Sequence, residues 1–121
     1  MAVPVIAIDG PSASGKGTVA REVANALGFH FLDSGALYRL VALAALDRGL
    51  AADDASGIAD IARNLNVVFG ADAVLLDNRD VTNAIRQERV SDAASKVAAV
   101  HAVREALLDR QRAFRKRPGL V

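Results

Sequence analysis

Residues 3–18 read VPVIAIDGPSASGKGT, and this stretch decides the fold class. Its first part, Val3 to Asp9, is almost entirely apolar, as expected of a strand buried on both faces of a parallel sheet. The next residues, GPSASG (10–15), are typical of a loop. A helical pattern follows from Lys16 to Leu27, and Gly28 suits the left-handed position after the last turn. The order of strand, glycine-rich loop and helix predicts a phosphate-binding loop.

The residue types in this loop suit phosphate chemistry. Gly10 and Gly15 allow the backbone to approach oxygen atoms closely, and successive N–H groups then point inward at the anion. Lys16 supplies a mobile positive charge. The generic motif has Ser or Thr directly after Lys, whereas here Gly17 intervenes and the hydroxyl comes at Thr18, which leaves open whether Thr18 contacts magnesium or phosphate. The alternative is a turn that binds nothing. The predicted phosphate-binding residues are Gly10, Pro11, Ser12, Ala13, Ser14, Gly15, Lys16, Gly17 and Thr18.

A second motif, DSGALYR (33–39), follows a second short apolar run at 29–32. Ligands of open parallel sheets bind beyond the carboxyl ends of the strands, so Asp33, Ser34 and Arg39 are expected to face the crevice that holds the loop. The guanidinium of Arg39 suits a second phosphate group. The residues alone leave open the alternative, a capping Asp-Ser pair and a surface arginine.

The middle of the chain has a different pattern. A helix is predicted over 55–64, capped by Asp53 or Asp54, and the loop 70–72 separates two β-rich runs as in a hairpin. Asp77 then belongs to a hairpin arm rather than to a magnesium-binding strand.

Further turns and helices follow the hairpin. A turn is expected at 78–80, a strand from Val81, and a short helical piece capped by Thr82. The pattern from 91 to 117 is helical with a break near His101, and Leu120 begins a further strand.

Composition excludes several classes of protein. The chain has 121 residues, 52% of them hydrophobic, with no Cys and two His, so a disulfide scaffold, a Cys nucleophile and a transition-metal site are not expected. It lacks a signal-peptide pattern and the ~20-residue apolar run of a membrane span, which predicts a soluble, cytoplasmic protein. Residues 101–121 carry six Lys and Arg against two Asp and Glu. Without interleaved aromatics, this excess indicates a solvated helix face rather than a nucleic-acid site.

Three stretches resemble the bacterial cytidylate kinase family: IDGPSASGKGT (8–18), FLDSGALYR (31–39) and the segment 90–121. The resemblance covers essentially the whole chain. DSGALYR and VREALLDRQRAF (103–114) are the specific parts, because adenylate, guanylate and thymidylate kinases lack them.

The resemblance implies an α/β fold, a P-loop parallel sheet flanked by helices with a small α+β insertion that binds the monophosphate. Residues 1–58 and 101–121 would form part of the core, and 59–100 the CMP-binding insertion. Family members continue beyond the equivalent of Val121, so the sheet is expected to be incomplete here, with the C-terminal core and the lid absent. A fragment of this kind should bind nucleotide weakly.

The resemblance also implies a function: transfer of the γ-phosphoryl group of ATP to CMP or dCMP, with Mg²⁺ accompanying ATP. Lys16 would be catalytic. The implied CMP site comprises Ser34, Tyr38 and Arg39, with Ser95 and Arg104 reading the cytosine edge. The expected protein is a cytoplasmic monomer without nucleic-acid or membrane partners. Another P-loop small-molecule kinase and a non-catalytic nucleotide-binding module are the alternatives.

Overall fold

The computed structural model describes residues 3–8, 16–51, 54–70, 73–117 and 119–121. The chain divides into two compact units: unit 1 comprises residues 1–33 and 111–121, and unit 2 comprises residues 34–110. The predicted division into a core of residues 1–58 and 101–121 and a CMP-binding insertion of residues 59–100 stays a prediction.

Unit 1 is built around helix α1 (Lys16–Leu27). The helix begins and ends where the sequence predicts, and Gly28 has the left-handed φ of 66° that a residue without Cβ adopts freely. Ala20 and Ala24 of α1 form a small apolar cluster with Val121. Partly buried hydrophobic residues pack against this cluster: Ile8, Val23, Phe29 and Phe31.

Among the described residues, the chain segments around α1 pair in parallel through isolated bridges. Leu120 forms a parallel bridge with Val5 and another with His30, so 119–121 lie between the other two segments. The N–H of Ile6 donates to the carbonyl of Leu120 (2.9 Å), and the N–H of Val121 donates to that of His30 (2.9 Å). The parallel direction matches the sequence prediction. Of the predicted strand over Val3 to Asp9, Val5 alone forms a β-bridge among the described residues 3–8, and Asp9 lies outside the described residues.

Unit 2 is mainly helical. It contains α2 (Ser34–Asp47), α3 (Ala55–Arg63) and α4 (Glu88–Ala98), and α5 (His101–Ala113) runs from it into unit 1. Helix α2 packs mainly against α4 and also against α3, and it buries Leu37, Leu40 and Val41 almost completely. Asp54 caps α3 by accepting a hydrogen bond from the N–H of Gly57 (3.1 Å), as one of the two predicted caps.

A three-stranded antiparallel sheet follows α3, in the order β1 (Val67–Phe69), β2 (Val74–Leu76) and β3 (Arg79–Asp80). The predicted hairpin of β1 and β2 is therefore confirmed. The next turn lies at Asp77 and Asn78, not at 78–80. Both residues have positive φ, 51° and 65°, which two-residue hairpin loops require and which Asp and Asn tolerate.

Two further predictions near this sheet need correction. Thr82 does not cap a helix, because the short 3-10 helix Ala84–Arg86 begins after Asn83, which makes no side-chain cap. The hydroxyl of Thr82 instead accepts from the N–H of Val74 (2.9 Å) and donates to Asp80 (2.6 Å). The long helical pattern is divided at residues 99–100, close to the predicted break, and α4 begins at Glu88 rather than Ser91. Across the described ranges, none of the helices has the length and apolar character needed to cross a bilayer.

Candidate functional site

Most of the predicted phosphate-binding loop lies outside the described residues. The residues concerned are Gly10, Pro11, Ser12, Ala13, Ser14 and Gly15. The structure does place Lys16 as the first residue of α1, although its side chain is not described. Thr18, in the first turn of α1, is exposed. The first N–H groups of a helix have no partner within the helix and attract anions. The helix that the motif requires is therefore present, and it begins at the required residue.

Three of the predicted CMP-binding residues lie in the first two turns of α2. Ser34 is its exposed first residue, and Tyr38 follows four positions later on the same face, half-buried. Arg39 is also half-buried, and its guanidinium makes no hydrogen bond or ion pair with the described part of the chain. A planar cation fixed on a packed helix, with its donors unused, suits bidentate contact with a phosphate.

The two residues predicted to read the base lie on separate helices. Ser95 is exposed in α4, and its hydroxyl donates to the carbonyl of Ser91 (3.3 Å), which is a long contact within its own helix. Arg104 is exposed in the first turns of α5, and its guanidinium also has no partner among the described residues. The two-residue break at Ala99 and Val100 separates the helices that carry them.

All five of these residues belong to unit 2, and the structure brings their helices together only in part. Helices α2 and α4 pack against each other directly, so Tyr38, Arg39 and Ser95 are carried by one packed pair. The described side chains of the five form no hydrogen bond with one another. A cleft of about 320 Å³ between α2, α3 and α4 is lined by none of them. Its lining residues include the apolar Ala42, Leu46 and Val97 and the charged Arg89, Asp92 and Lys96.

Sequence reasoning missed Arg110, which projects from α5 in unit 2. One terminal nitrogen of its guanidinium donates to the carbonyl of Leu65, in the turn between α3 and β1. Helical spacing does indicate that Arg110 follows Val103, Ala106 and Leu107 on one face of α5, but no local pattern indicates its partner Leu65.

The electrostatics of the hairpin are set by hydrogen bonds. Asp80 accepts from both the hydroxyl (2.6 Å) and the backbone N–H (3.0 Å) of Thr82, and these bonds lower the pKa of its carboxyl group below 3.8. Asp77 is exposed at the hairpin tip. Within the described residues, no group of three or more acidic or histidine side chains is arranged to hold a metal ion.

Comparison with known proteins places these residues within one family match. The family model for cytidylate kinase matches residues 6–121, which include α1, α2, the two positions predicted to read the base, and Arg110. The chain belongs to the cytidylate kinase family. The cytidylate kinase of Nitrosomonas eutropha is 60% identical over 119 residues, which cover 98% of this chain and 53% of that protein. That of Bordetella pertussis is 59% identical over 120 residues, covering 99% of this chain and 54% of that protein.

A somewhat less similar cytidylate kinase matches over a comparable length. The enzyme of Methylococcus capsulatus is 54% identical over 122 residues, with 98% of this chain and 55% of that protein covered. The chain thus spans about half the length of the curated cytidylate kinases that it matches.

Proposed function

We propose that the protein transfers the γ-phosphoryl group of ATP to CMP or dCMP and so forms CDP or dCDP. The observation that carries this proposal is the cytidylate kinase match over residues 6–121. The proposed core is a P-loop parallel sheet flanked by helices. The parallel bridges of Leu120 with Val5 and His30 support it, since the three segments run in the required direction.

The ATP side of the reaction is assigned to residues 10–18. Lys16 is the catalytic residue, and it neutralises charge on the β- and γ-phosphates as the phosphoryl group moves. The start of α1 at Lys16 supports this role, because the first N–H groups of a helix have no partner within it and attract anions. Mg²⁺ enters with ATP as part of the substrate and screens the same oxygens. Thr18, exposed in the same turn, is the hydroxyl available to the phosphates.

The CMP side is assigned to unit 2. Arg39 holds the acceptor phosphate, with Ser34 and Tyr38 on the same helix beside it. Arg104 donates to the O2 and N3 acceptors of cytosine, and Ser95 supplies a hydroxyl. Residues 59–100 are the proposed insertion that encloses the monophosphate.

The chemistry needs no general base. An oxygen of the CMP phosphate, already anionic, forms the new bond to the γ-phosphorus while the bond to the β–γ bridging oxygen breaks and ADP leaves. Catalysis is then positioning and charge neutralisation, for which one lysine and one arginine on two different helices are suitable. The proposed enzyme acts as a monomer and needs no nucleic-acid or membrane partner.

The deciding experiment is a phosphoryl-acceptor assay on the full-length protein with Mg²⁺-ATP and CMP, dCMP, UMP, AMP or shikimate. We expect CMP and dCMP to be preferred to UMP by tens-fold or more. N3 of uracil carries a hydrogen, which would face the N–H donors of Arg104 and leave them unpaired. An unpaired buried donor costs about 1–3 kcal/mol. Arg104→Met should lower kcat/KM for CMP and narrow the CMP:UMP ratio. Transfer to AMP or shikimate instead would identify another P-loop kinase. ATP binding without transfer to any acceptor would identify a non-catalytic module.

A further inference from the structure

The buried face of α5 ends in an arginine. Val103 and Leu107 are fully buried and Ala106 nearly so, and the side chain at the next position of this stripe is the guanidinium of Arg110. Its terminal nitrogen donates to the carbonyl of Leu65, a residue that is only 4% exposed. Its Nε is buried and finds no hydrogen-bond partner in the described part of the chain.

Burial alone does not favour an arginine at this place. A buried N–H without a partner loses its hydration and gains nothing in return, whereas an unbranched apolar side chain of similar length fills the same stripe without that cost. What the arginine adds is a charged donor to a backbone carbonyl between α3 and β1. That bond connects α5 to a distant part of unit 2, across 45 positions of sequence.

The connection matters for the start of α5. The helix follows the two-residue break at Ala99 and Val100, so its direction is not fixed by continuity with α4. Its packing at Val103 and the Arg110 bond to Leu65 hold it at two points along its length. Arg104 lies six residues before Arg110 on the same helix, a rise of about 9 Å, and is turned to the exposed side.

We propose that Arg110 is a positioning residue for cytosine recognition: its bond to the Leu65 carbonyl fixes α5 and thereby the place from which Arg104 reaches the base. This inference rests on the proposed function of Arg104. A displacement of a recognition group by about 1 Å can cost a hundredfold in rate, so a single tether on the helix has a measurable effect.

The test compares CMP with UMP in the full-length enzyme. Arg110→Met keeps the length and apolar stem of the side chain and removes its donors. We expect the CMP:UMP ratio of kcat/KM to narrow by roughly three- to tenfold, while the KM for ATP stays unchanged. Arg110→Lys keeps a charged donor but loses the planar guanidinium. The CMP:UMP ratio of kcat/KM for this variant should therefore lie between the ratios for Arg110→Met and the wild type.

Two features keep the test independent of folding defects. Both acceptors are assayed on one preparation, so an inactive fraction lowers both rates equally and leaves the ratio intact. Arg63→Met is the matched control, because Arg63 lies in the same unit but forms an exposed ion pair with Asp60. Its ratio should equal that of the wild type.

The outcomes separate this inference from the proposed function. If Arg104→Met narrows the ratio and neither Arg110 variant does, Arg110 has no positioning role and the inference is overturned. If Arg104→Met leaves the ratio unchanged, the assigned role of Arg104 fails, and the inference fails with it. A narrowing by Arg63→Met as large as that by Arg110→Met would also overturn it, since any lost arginine would then have the same effect.

Discussion

Unit 1 and unit 2 bury their apolar residues to very different extents. The largest fully buried side chains among the described residues all belong to unit 2: Leu37, Leu40, Val41, Ile58, Val90, Val97, Val103 and Leu107. Unit 1 is centred on Ala20, Ala24 and Val121, and it leaves Val19 and Leu27 of α1 about half exposed. The residues proposed to bind CMP thus lie in the well-packed unit, and helix α1, which begins at the proposed catalytic Lys16, belongs to the smaller core.

The difference follows from the kind of contact that each unit uses. Unit 2 is made of packed helices and an antiparallel hairpin, and all of its segments lie within residues 34–110. Unit 1 depends on parallel pairing between residues 4–6, 30–32 and 119–121, which are far apart along the chain. Such pairing has a greater loop-closure cost before any contact compensates it. We therefore expect the two units to respond differently to substitution.

The largest expected effect concerns the division of roles. Lys16→Ala in unit 1 should lower kcat for phosphoryl transfer by roughly a hundredfold or more, because a charge that acts in the transition state is lost. Arg39→Ala in unit 2 should instead raise the KM for CMP by about tenfold or more, as expected for the loss of a charged hydrogen bond, and leave the KM for ATP nearly unchanged. Steady-state kinetics with each substrate varied in turn measure both effects.

The outcomes that would break this division are specific. Near-wild-type turnover by Lys16→Ala would remove the proposed role of the loop. If Arg39→Ala changes only the ATP constant, the acceptor phosphate is bound elsewhere.

The second prediction compares the substitution of Leu by Ala at a fully buried position of unit 2 and at a half-exposed position of unit 1. Leu40→Ala, at a position with no exposure, should destabilise unit 2 by about 2–5 kcal/mol, because it leaves a cavity in the packed α2 face. Leu27→Ala, at a position that is 49% exposed at the end of α1, should cost less than about 1 kcal/mol. Urea unfolding is the measurement.

The chain has one Tyr and no Trp, so the fluorescence of Tyr38 reports on unit 2 alone, while circular dichroism reports on both units. Leu40→Ala should lower the urea concentration at the midpoint of the unfolding transition followed by Tyr38 fluorescence. Equal shifts of the urea midpoint measured by circular dichroism for Leu40→Ala and Leu27→Ala would contradict the comparison.

The sequence predicted local features well and distant pairing poorly. The start of α1 at Lys16 and the left-handed Gly28 were predicted correctly, because glycine, lysine and apolar spacing act within one or two turns. The strand predicted over Val3 to Asp9 forms a bridge at Val5 alone among the described residues 3–8, and its partner Leu120 lies more than a hundred positions away, where no local pattern indicates it.

For the candidate site, sequence could propose residue types but not their partners. The DSGALYR motif indicated Arg39 and the family resemblance implied Arg104. The structure adds that each lies on a helix with its guanidinium unpaired among the described residues. The role of Arg110 depends on a carbonyl 45 positions away, which no local pattern indicates. The hydroxyl of Thr82 was assigned to a helix cap, because Thr hydroxyls satisfy caps and hairpin N–H groups equally well.

The smallest expected effect lies in the hairpin of unit 2 and has a defined pH dependence. The Thr82 hydrogen bonds lower the pKa of Asp80 in the folded protein, so the folded state favours the ionised carboxylate. The resulting stabilisation is fully present above the ordinary value of 3.8 and is lost as pH falls through the lower folded value. Asp80→Asn, which keeps an oxygen acceptor but no charge, should therefore be less stable than the wild type at pH 6, and the gap should shrink by pH 3. Asp92→Asn, on the exposed side of α4, serves as the control for general loss of one negative charge. Urea unfolding followed by Tyr38 fluorescence gives the difference in midpoint between each variant and the wild type at each pH. If the difference between Asp80→Asn and the wild type widens toward acid pH, the folded state does not favour the charged form of Asp80.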